Sequence, residues 1–218
     1  MTMRLPLAGY RIISAEQYGA GPYGTMFLAQ MGAEVIKIEP PQGGDTARAV
    51  GPHYLRAGES LYFQAFNLNK RSLTLNLHDP DGQKIFRSLA ATTHAVVNNL
   101  RGHLPERLGL TYGQLKDINP AVVCGHLSAY GRDNERADWP GYDYLMQAEA
   151  GWMALTGEPD APPTRAGLSL VDFMTGTVMT IGLLGALVDA QRSGVGRDVD
   201  VDLLSTALHQ TSYPALWY

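Results

Sequence analysis

The first 40 residues constrain the fold most, because they combine a strand, a glycine-rich turn, a helix and a second strand with short connections. We predict strands over Tyr10–Ser14 and Ala33–Glu39, with a helix over Gly21–Met31 between them. Two strands joined through a helix run parallel with a right-handed crossover. This segment therefore predicts a parallel sheet with helices packed against it.

The same alternation continues along the rest of the chain. Further strands are predicted over Ser72–Leu77, Ala95–Val97, Ala121–Leu127 and Asp198–Val201. Further helices are predicted after the cap residue Asp79, over Thr111–Ile118, Tyr142–Ala154 and Val171–Arg192, and from Leu203 to Trp217. Residues 40–68 are predicted to be irregular, because paired glycines and Gly-Pro interrupt any periodicity. The pattern is typical of an α/β fold with a mainly parallel sheet. The last predicted helix stops inside apolar sequence, which suggests that the chain is the first part of a longer protein.

The turn at residues 19–24 reads Gly-Ala-Gly-Pro-Tyr-Gly, which matches the G-x-G-x-x-G pattern between a strand and a helix. Glu39 follows 20 residues after Gly19, where a dinucleotide-binding fold places an acid on a ribose hydroxyl. Pro22 weakens this interpretation because it has no N–H to offer a phosphate. A glycine turn before any helix of an α/β fold is the alternative.

Composition excludes several function classes. The net charge of −4 and pI near 5.8 disfavour a general nucleic-acid binder. The single cysteine, Cys124, excludes a disulfide scaffold and indicates a reducing compartment, so we expect a cytoplasmic protein. The most apolar stretch, Phe173–Val188, contains threonines and glycines and indicates a buried helix rather than a membrane span. The six histidines show no metal-ligand spacing, so we expect no metal site.

Two groups of polar residues are candidates for ligand binding. One is Asn69-Lys70-Arg71, and the other is Asn98–Arg101 followed by Arg107. The second group follows a predicted strand, and ligands of open α/β sheets bind beyond the carboxyl ends of strands. Arginines there could hold phosphates, or they could be ordinary solvated surface residues.

Asp172 stands among apolar residues at the start of the long predicted helix Val171–Arg192. A carboxylate in this position could be the N-cap of that helix, accepting hydrogen bonds from backbone N–H groups. It could instead be a poorly solvated nucleophile that attacks an activated acyl group. The residues alone leave both interpretations open.

Six segments taken in order resemble the class III (CaiB/BaiF-type) CoA-transferases, the family of formyl-CoA transferase, carnitine CoA-transferase and α-methylacyl-CoA racemase. They are GAGPYGTMFLAQMGAEVIKIEPPQGGD (19–45), LNKRSLTLNL (68–77), VVNNLRGHLPERLGLTYGQLKDINP (96–120), GYDYLMQAEAG (141–151), PPTRAGLSLVDFMTG (162–176) and GLLGALVDAQRSGVGRDVDVDLLSTAL (182–208). The resemblance covers nearly the whole chain, and six segments in the right order are a specific signal.

The resemblance implies a Rossmann-like domain over residues 1–218 that binds coenzyme A and includes the nucleophile segment, without the family's smaller domain and C-terminal return. It implies that Asp172 forms a covalent acyl and then a CoA intermediate, and that acyl-CoA and a small carboxylic acid are the substrates, with no permanently bound cofactor. It also implies a homodimer, which in this family is interlocked. The positions that it assigns to CoA binding are Gly19, Ala20, Leu75, Asn99, Leu100, Arg101, Arg107, Tyr142 and Asp143.

The sequence departs from the family pattern at three places. Pro40 stands where many members have a phosphate-binding arginine, so Arg71, Arg101 or Arg107 is expected to replace it. Gly102 and His103 follow Arg101, where the family often has proline and glycine. Tyr142 stands where the racemase branch has a histidine, and a tyrosine is a poor base for an α-proton, which favours a transferase. An acyl-CoA racemase, an NAD(P)-binding oxidoreductase and an inactive CoA-binding fragment are the alternatives.

Overall fold

The computed structural model of the chain describes residues 4–217. Its strands are β1 (Arg11–Ala15), β2 (Glu34–Glu39), β3 (Tyr54–Arg56), β4 (Glu59–Ser60), β5 (Arg71–Thr74), β6 (Ala95–Asn98), β7 (Val123–Ser128) and β8 (Arg197–Asp202). Its helices are α1 (Ala20–Gln30), α2 (Leu61–Phe66), α3 (Pro80–Ala90), α4 (Leu104–Arg107), α5 (Tyr112–Leu115), α6 (Asp143–Glu149), α7 (Trp152–Leu155), α8 (Leu170–Ser193) and α9 (Leu203–Gln210). Two short 3₁₀ helices span Thr46–Ala49 and Pro214–Leu216.

Six strands form one parallel sheet in the order β5-β2-β1-β6-β7-β8. The chain builds outward from β1 in one direction through β2 and β5, then returns to add β6, β7 and β8 on the other side. The predicted α/β class with a parallel sheet is confirmed. The strand order reverses between β1 and β6, and the crevice at such a point is where ligands of open α/β sheets bind.

Two apolar cores cover the two faces of the sheet, because alternate residues of each buried strand point to opposite sides. One core contains Ile12, Val97 and Val123 and lies under α1, α8 and α9. The other contains Ile13, Val96 and Cys124 and lies under α3, α4 and α5. The molecule is therefore a three-layer arrangement of helix, sheet and helix. Cys124 is fully buried, and burial raises the pKa of its thiol.

Helices α1 and α8 pack against each other through glycines. A Cβ placed on Gly24 would lie 2.5 Å from the carbonyl oxygen of Gly176, and a Cβ on Gly176 would lie 2.5 Å from that of Ala20. The hydroxyl of Thr180 donates to the Gly24 carbonyl across the same contact at 3.0 Å. Because the backbones approach so closely, the first turn of α8 lies beside the first turn of α1.

Within residues 4–217, α8 is the one helix long and apolar enough to cross a membrane by length and composition. Half of its most apolar window is buried against α1 and the sheet. Core helices of globular domains share these properties, and the predicted packing of this stretch as a core helix is confirmed for its inner face.

Three predicted boundaries are wrong. Residues 40–68 are not wholly irregular, since they form the hairpin β3–β4 and the helix α2, which are too short to show periodicity. The predicted helix Tyr142–Ala154 is two helices, because Gly151 adopts a left-handed conformation (φ 80°) between α6 and α7. Helix α9 ends at Gln210 rather than Trp217, since Pro214 has no N–H for a continuing helix. Tyr218 lies outside the described residues.

Candidate active site

The main candidate site is a cavity of about 400 Å³ at the carboxyl edge of the sheet, where β1 and β6 adjoin. Its walls are the segments that follow β1, β6 and β7, together with the first turn of α8. Its lining includes Gln17, Tyr18, Gly19, Ala20, Leu100, Arg101, Tyr142 and Asp172. Each of these segments begins at the end of a parallel strand or at the start of a helix. The fold therefore brings them together at the carboxyl edge of the sheet.

Asp172 and Gly19 lie next to each other in the wall of this cavity. A Cβ on Gly19 would lie 2.8 Å from Asp172 Oδ2 and 3.3 Å from the Tyr62 hydroxyl. Any side chain at residue 19 would therefore displace the carboxylate or the phenol. The glycine leaves the carboxylate beside the backbone turn that opens α1.

The Asp172 side chain is buried without a charged partner. It is 8% exposed, and within residues 4–217 no salt bridge or hydrogen bond to its carboxylate is found. Burial raises the pKa of Asp172 to about 7, and the negative charge of Asp143 adds to the rise. A carboxylate in this environment is poorly solvated and reactive once it is ionised.

The N-cap interpretation of Asp172 is wrong. Ser169 occupies the N-cap position of α8, so Asp172 is the third residue of the helix and its side chain faces the cavity. The helix begins earlier than the sequence suggested because Leu170 and Val171 are already helical.

A buried ionic network supports the turn at residues 16–19. Lys37 Nζ lies 2.8 Å from Asp45 Oδ2 and donates to the carbonyl oxygen of Glu16, also at 2.8 Å. Asp45 Oδ1 accepts from the backbone N–H of Tyr18 at 3.0 Å, and Tyr18 has a left-handed backbone (φ 69°). Since such a conformation is unfavourable for tyrosine, these contacts hold the turn in place.

A second buried pair lies beside the first. Lys70 Nζ contacts Glu16 Oε1 at 2.9 Å and donates to the carbonyl oxygen of Pro22. Burial lowers the pKa of Lys70 to about 8. Lys70, a predicted ligand-binding candidate, is therefore committed to the interior beneath α1.

Of the positions assigned to CoA after β6, three lie at the cavity wall and one does not. Leu100 and Arg101 line the cavity. Asn99 is also at the wall, but its side-chain amide is engaged by the backbone of Gln17, accepting from its N–H at 2.9 Å and donating to its carbonyl at 2.7 Å. Arg107 lies on α4, outside the cavity lining.

Gly19 and Ala20 line the cavity, and the remaining three assigned positions lie in different places. Tyr142 lines the cavity and is half exposed. Asp143 is buried, and its carboxylate points to the backbone at the start of α8 rather than to the cavity. Leu75 lies in a second, mainly apolar pocket of about 170 Å³, which shares Gln17, Leu100 and Leu104 with the main cavity.

Two sequence-based interpretations are not supported by the geometry. Glu39 is 3% exposed, and its oxygens are occupied by Arg48, Ser72 and the Asp45 N–H. Although burial opposes ionisation, these hydrogen bonds hold its pKa at about 2, so the side chain is not free for the ribose of a dinucleotide. Arg71 pairs with Glu34 at 2.7 Å at the opposite edge of the sheet and does not reach the cavity.

Sequence reasoning missed Gln17, Tyr18 and Tyr62. The first two directly precede the glycine turn, which was the available signal. Tyr62 lies on α2 in the segment predicted to be irregular, and burial raises the pKa of its phenol. Its phenol lies beside Gly19 and Asp172 only in the folded chain.

No cluster of three or more His, Cys, Asp or Glu side chains suited to a metal ion occurs between residues 4 and 217. The polar groups of the cavity are instead one carboxylate, phenols, backbone amides and one guanidinium. This set suits covalent acyl chemistry on an anionic ligand.

Comparison with known proteins finds relatives of this chain. A sequence profile of CoA-transferase family III matches residues 7–218. The chain is 39% identical over 204 residues to succinate–glutarate CoA-transferase of Agrobacterium fabrum, covering 91% of this chain and 51% of that one. It is 38% identical over 204 residues to acetyl-CoA:oxalate CoA-transferase of Acetobacter aceti, covering 93% and 52%.

The fold has a close match among solved structures. A CaiB/BaiF family protein from Brucella suis superimposes with a TM-score of 0.92 at 32% identity, over 99% of this chain and 58% of that one. The chain spans about half the length of the curated relatives it matches.

Proposed function

The chain belongs to CoA-transferase family III, and from that premise we propose that it moves coenzyme A from an acyl-CoA thioester to a carboxylic acid, with Asp172 as the nucleophile. One observation carries the proposal: the buried carboxylate of Asp172 has no hydrogen-bond or salt-bridge partner within residues 4–217 and faces the cavity beside Gly19.

The chemistry proceeds through anhydride and thioester intermediates on Asp172. Its ionised carboxylate attacks the thioester carbonyl, the C–S bond breaks, and an acyl–aspartyl anhydride and free CoA thiolate result. The thiolate then attacks the aspartyl carbonyl, which releases the donor acid and leaves an aspartyl-CoA thioester. An acceptor carboxylate reverses both steps and departs as the new acyl-CoA, restoring Asp172.

The surroundings of Asp172 fit each requirement of this route. The cavity lies at the start of α1, whose positive dipole end stabilises developing negative charge on the reacting oxygen. The exposed Arg101 at the cavity wall can pair with a phosphate of CoA. The adjoining apolar pocket around Leu75 is suited to a flat, weakly polar group such as the adenine ring.

The names of the relatives support a proposal for the substrate class. Proteins named for succinate and glutarate, and for acetyl-CoA and oxalate, match over most of the chain. We propose a short acyl-CoA donor and a small mono- or dicarboxylic acid as acceptor, and succinyl-CoA with glutarate is the first pair to test.

The proposal is tested by trapping the intermediate. The protein is incubated with succinyl-CoA and then with hydroxylamine, and the site of modification is located by peptide mass spectrometry. We expect a hydroxamate on Asp172 and none in the Asp172→Asn variant, whose matched control is Asp160→Asn on the surface. A protein that transfers CoA without derivatising Asp172, or retains full activity as Asp172→Asn, would overturn the mechanism.

A second experiment, read together with the first, separates the racemase alternative. Asp172, with a pKa near 7, also has the basicity of a general base. Exchange of the α-proton of a 2-methylacyl-CoA in deuterated water, without any hydroxamate, would assign the site to racemisation instead.

A further inference from the structure

Helix α6 is joined to the segment that carries Asp172 by a set of buried hydrogen bonds. Asp143 Oδ2 accepts from the backbone N–H of Val171 at 2.7 Å and of Asp172 at 3.3 Å. Asp143 Oδ1 accepts from Gln147 Nε2, one turn further along α6. Gln147 Oε1 accepts from Ala166 N–H at 2.9 Å.

This arrangement replaces the normal cap of α8. The first N–H groups of a helix have no partner within it, and a Ser at the N-cap usually satisfies one of them. The Ser169 side chain makes no such bond in α8. The carboxylate of Asp143, 28 residues earlier in the chain and 7% exposed, satisfies two of these groups instead.

We propose that Asp143 is a positioning residue for Asp172: its buried carboxylate, held by Gln147, caps α8 from the neighbouring helix and fixes the turn from which Asp172 faces the cavity. The inference rests on the proposed function for its catalytic consequence, but not for its structural part. It gives Asp143 a role distinct from contact with CoA.

The cap has an electrostatic consequence for the nucleophile. The N–H groups at the start of α8 would stabilise an ionised Asp172, but two of them point at Asp143. Asp143 also places a negative charge beside Asp172 and helps to raise its pKa. Asp143 therefore limits how readily Asp172 ionises while holding it in place.

Few other ionisable groups surround Asp172. Those on the elements packed around it are the phenols of Tyr18, Tyr23, Tyr62 and Tyr142, the guanidinium of Arg101 at the cavity wall, and the carboxylate of Asp202 at the start of α9. Behind the turn at residues 16–19 lie the two buried ion pairs Lys37–Asp45 and Lys70–Glu16, in which each charge is compensated by its partner. The Asp202 carboxylate accepts from the Ser205 N–H and so caps its own helix. Within residues 4–217 none of the charged groups forms a salt bridge with Asp172. Asp143 is thus the charge whose removal should move the titration of Asp172 most.

The test separates charge from geometry with two variants of one residue. Asp143→Asn keeps an oxygen that can accept the two N–H groups but removes the charge. Asp143→Glu keeps the charge but displaces the cap. Asp79→Asn is the matched control, because Asp79 caps α3 through its own side chain and does not line the cavity.

The first readout needs no substrate. The titration of Asp172 is followed by NMR in protein labelled with ¹³C at the aspartate carboxyl carbon, and the signal is assigned by its loss in Asp172→Asn. We expect Asp143→Asn to lower the pKa of Asp172 by about one pH unit or more, and Asp143→Glu and Asp79→Asn to leave it raised. An unchanged pKa in a folded Asp143→Asn variant would overturn the electrostatic part.

The second readout is the rate of CoA transfer across pH. We expect Asp143→Glu to lower kcat by about tenfold or more at every pH, with KM for the acyl-CoA within about threefold of the parent. In Asp143→Asn the pH at which activity rises should fall together with the pKa of Asp172. A normal kcat in Asp143→Glu would overturn the positioning part.

A further variant keeps the test decisive if both fail to fold. Gln147→Met leaves Asp143 in place but removes the donor to its Oδ1, and we expect a lower kcat with KM little changed. A Gln147→Met protein of normal kcat would count against the proposal. If Asp172 titrates as expected while no variant, parent included, transfers CoA, the proposed function fails and the electrostatic effect of Asp143 on Asp172 stands.

Discussion

Burial of the Asp172 carboxylate lowers the free energy of unfolding by an amount that depends on pH. Its pKa is raised from 3.8 to about 7, so between these values the unfolded chain releases a proton that the folded chain keeps. Ionisation then favours the unfolded state, and stability falls as pH rises through this window. Above about pH 7 the full cost is present, and below 3.8 it is absent.

Replacing Asp172 by Asn should therefore stabilise the protein in a pH-dependent way. We expect the free energy of unfolding of Asp172→Asn to exceed that of the parent by little at about pH 4 and by roughly 2–4 kcal/mol at about pH 7.5, because a tenfold change in proton affinity corresponds to about 1.4 kcal/mol. Urea denaturation at a series of pH values measures the difference. Asp160→Asn controls for the change in net charge, and a difference that does not vary with pH would show that Asp172 is not desolvated.

Gly19 has a role that depends on the space beside it rather than on its backbone angle. Its φ of −114° is accessible to any residue, but a Cβ would lie 2.8 Å from Asp172 Oδ2. We expect Gly19→Ala to lower the rate of CoA transfer by about tenfold or more, while stability changes by less than about 2 kcal/mol. Gly113→Ala, at an exposed helical position with open space, is the control. Equal activity in the two variants would exclude the close approach.

The contributions of Lys37 and Asp45 to the free energy of unfolding should be coupled. Removing one member of a buried ion pair leaves an uncompensated charge, so we expect Lys37→Met to lower the free energy of unfolding by about 3–5 kcal/mol. The double variant Lys37→Met/Asp45→Asn should recover part of that loss, because no charge is then left alone. Thermal and urea unfolding of the single and double variants provide the measurement. A double variant as unstable as the sum of the two single ones would show that the pair is not coupled.

Single residues differed in how far the sequence could predict them. Asp172 was identifiable because its carboxylate interrupts an apolar run. Gly19 was identifiable because it begins a glycine-rich turn between a predicted strand and a predicted helix. Tyr62 was not, since its approach to Gly19 depends on α2, a helix of only six residues. The role of Asp143 as a cap also escaped sequence analysis, because its N–H partners lie 28 and 29 residues away.

At the level of elements, the contact between α1 and α8 fixes the site. The two helices approach closely because Gly24 and Gly176 have no side chains, and this places the start of α8 beside the glycine turn. The helices themselves were predicted from periodicity and from the glycine-rich start of α1. Their contact was not, since nothing local to either helix specifies which residues of the other it will meet.

Adding one methyl group at this contact should separate the two helices. Because a Cβ on Gly24 would lie 2.5 Å from the Gly176 carbonyl oxygen, we expect Gly24→Ala to lower the free energy of unfolding by about 1–3 kcal/mol. Gly185→Ala, in α8 with open space around it, should instead raise it by up to about 1 kcal/mol. Urea denaturation compares them, and effects of the same sign in both variants would contradict the packing described.

Across the whole molecule, stability should be greatest in the central strands. Strands β1, β6 and β7 are paired on both sides and buried under both helical layers, whereas every residue of β3 is exposed. We expect amide hydrogens of these three strands to exchange slowest and those of residues 54–60 to exchange fastest. Hydrogen–deuterium exchange with mass spectrometry measures this directly. Equal protection of the hairpin β3–β4 would mean that it is stabilised by contacts beyond those described.

The sheet order follows from the sequence only in part. The parallel alternation was predictable from the βαβ pattern, but the pairing of β1 with β6 joins residues more than 80 positions apart. Such a pairing is decided by the competition among buried strands in the folded core, which a single sequence does not display. The cavity lies at that pairing, and its position therefore became visible only with the structure.

The pairing of α8 with α1 also bears on how the protein is made. Their closest contact, between Gly24 and Gly176, joins positions separated by about 150 residues, so a growing chain leaving the ribosome carries α1 long before its partner has been synthesised. Contacts of such long range form late and slowly in folding. During translation the glycine turn and Arg101 are synthesised first, and Asp172 is the last of these cavity residues to be added. The cavity at the carboxyl edge of the sheet is therefore incomplete in the growing chain until α8 has been synthesised and packed against α1.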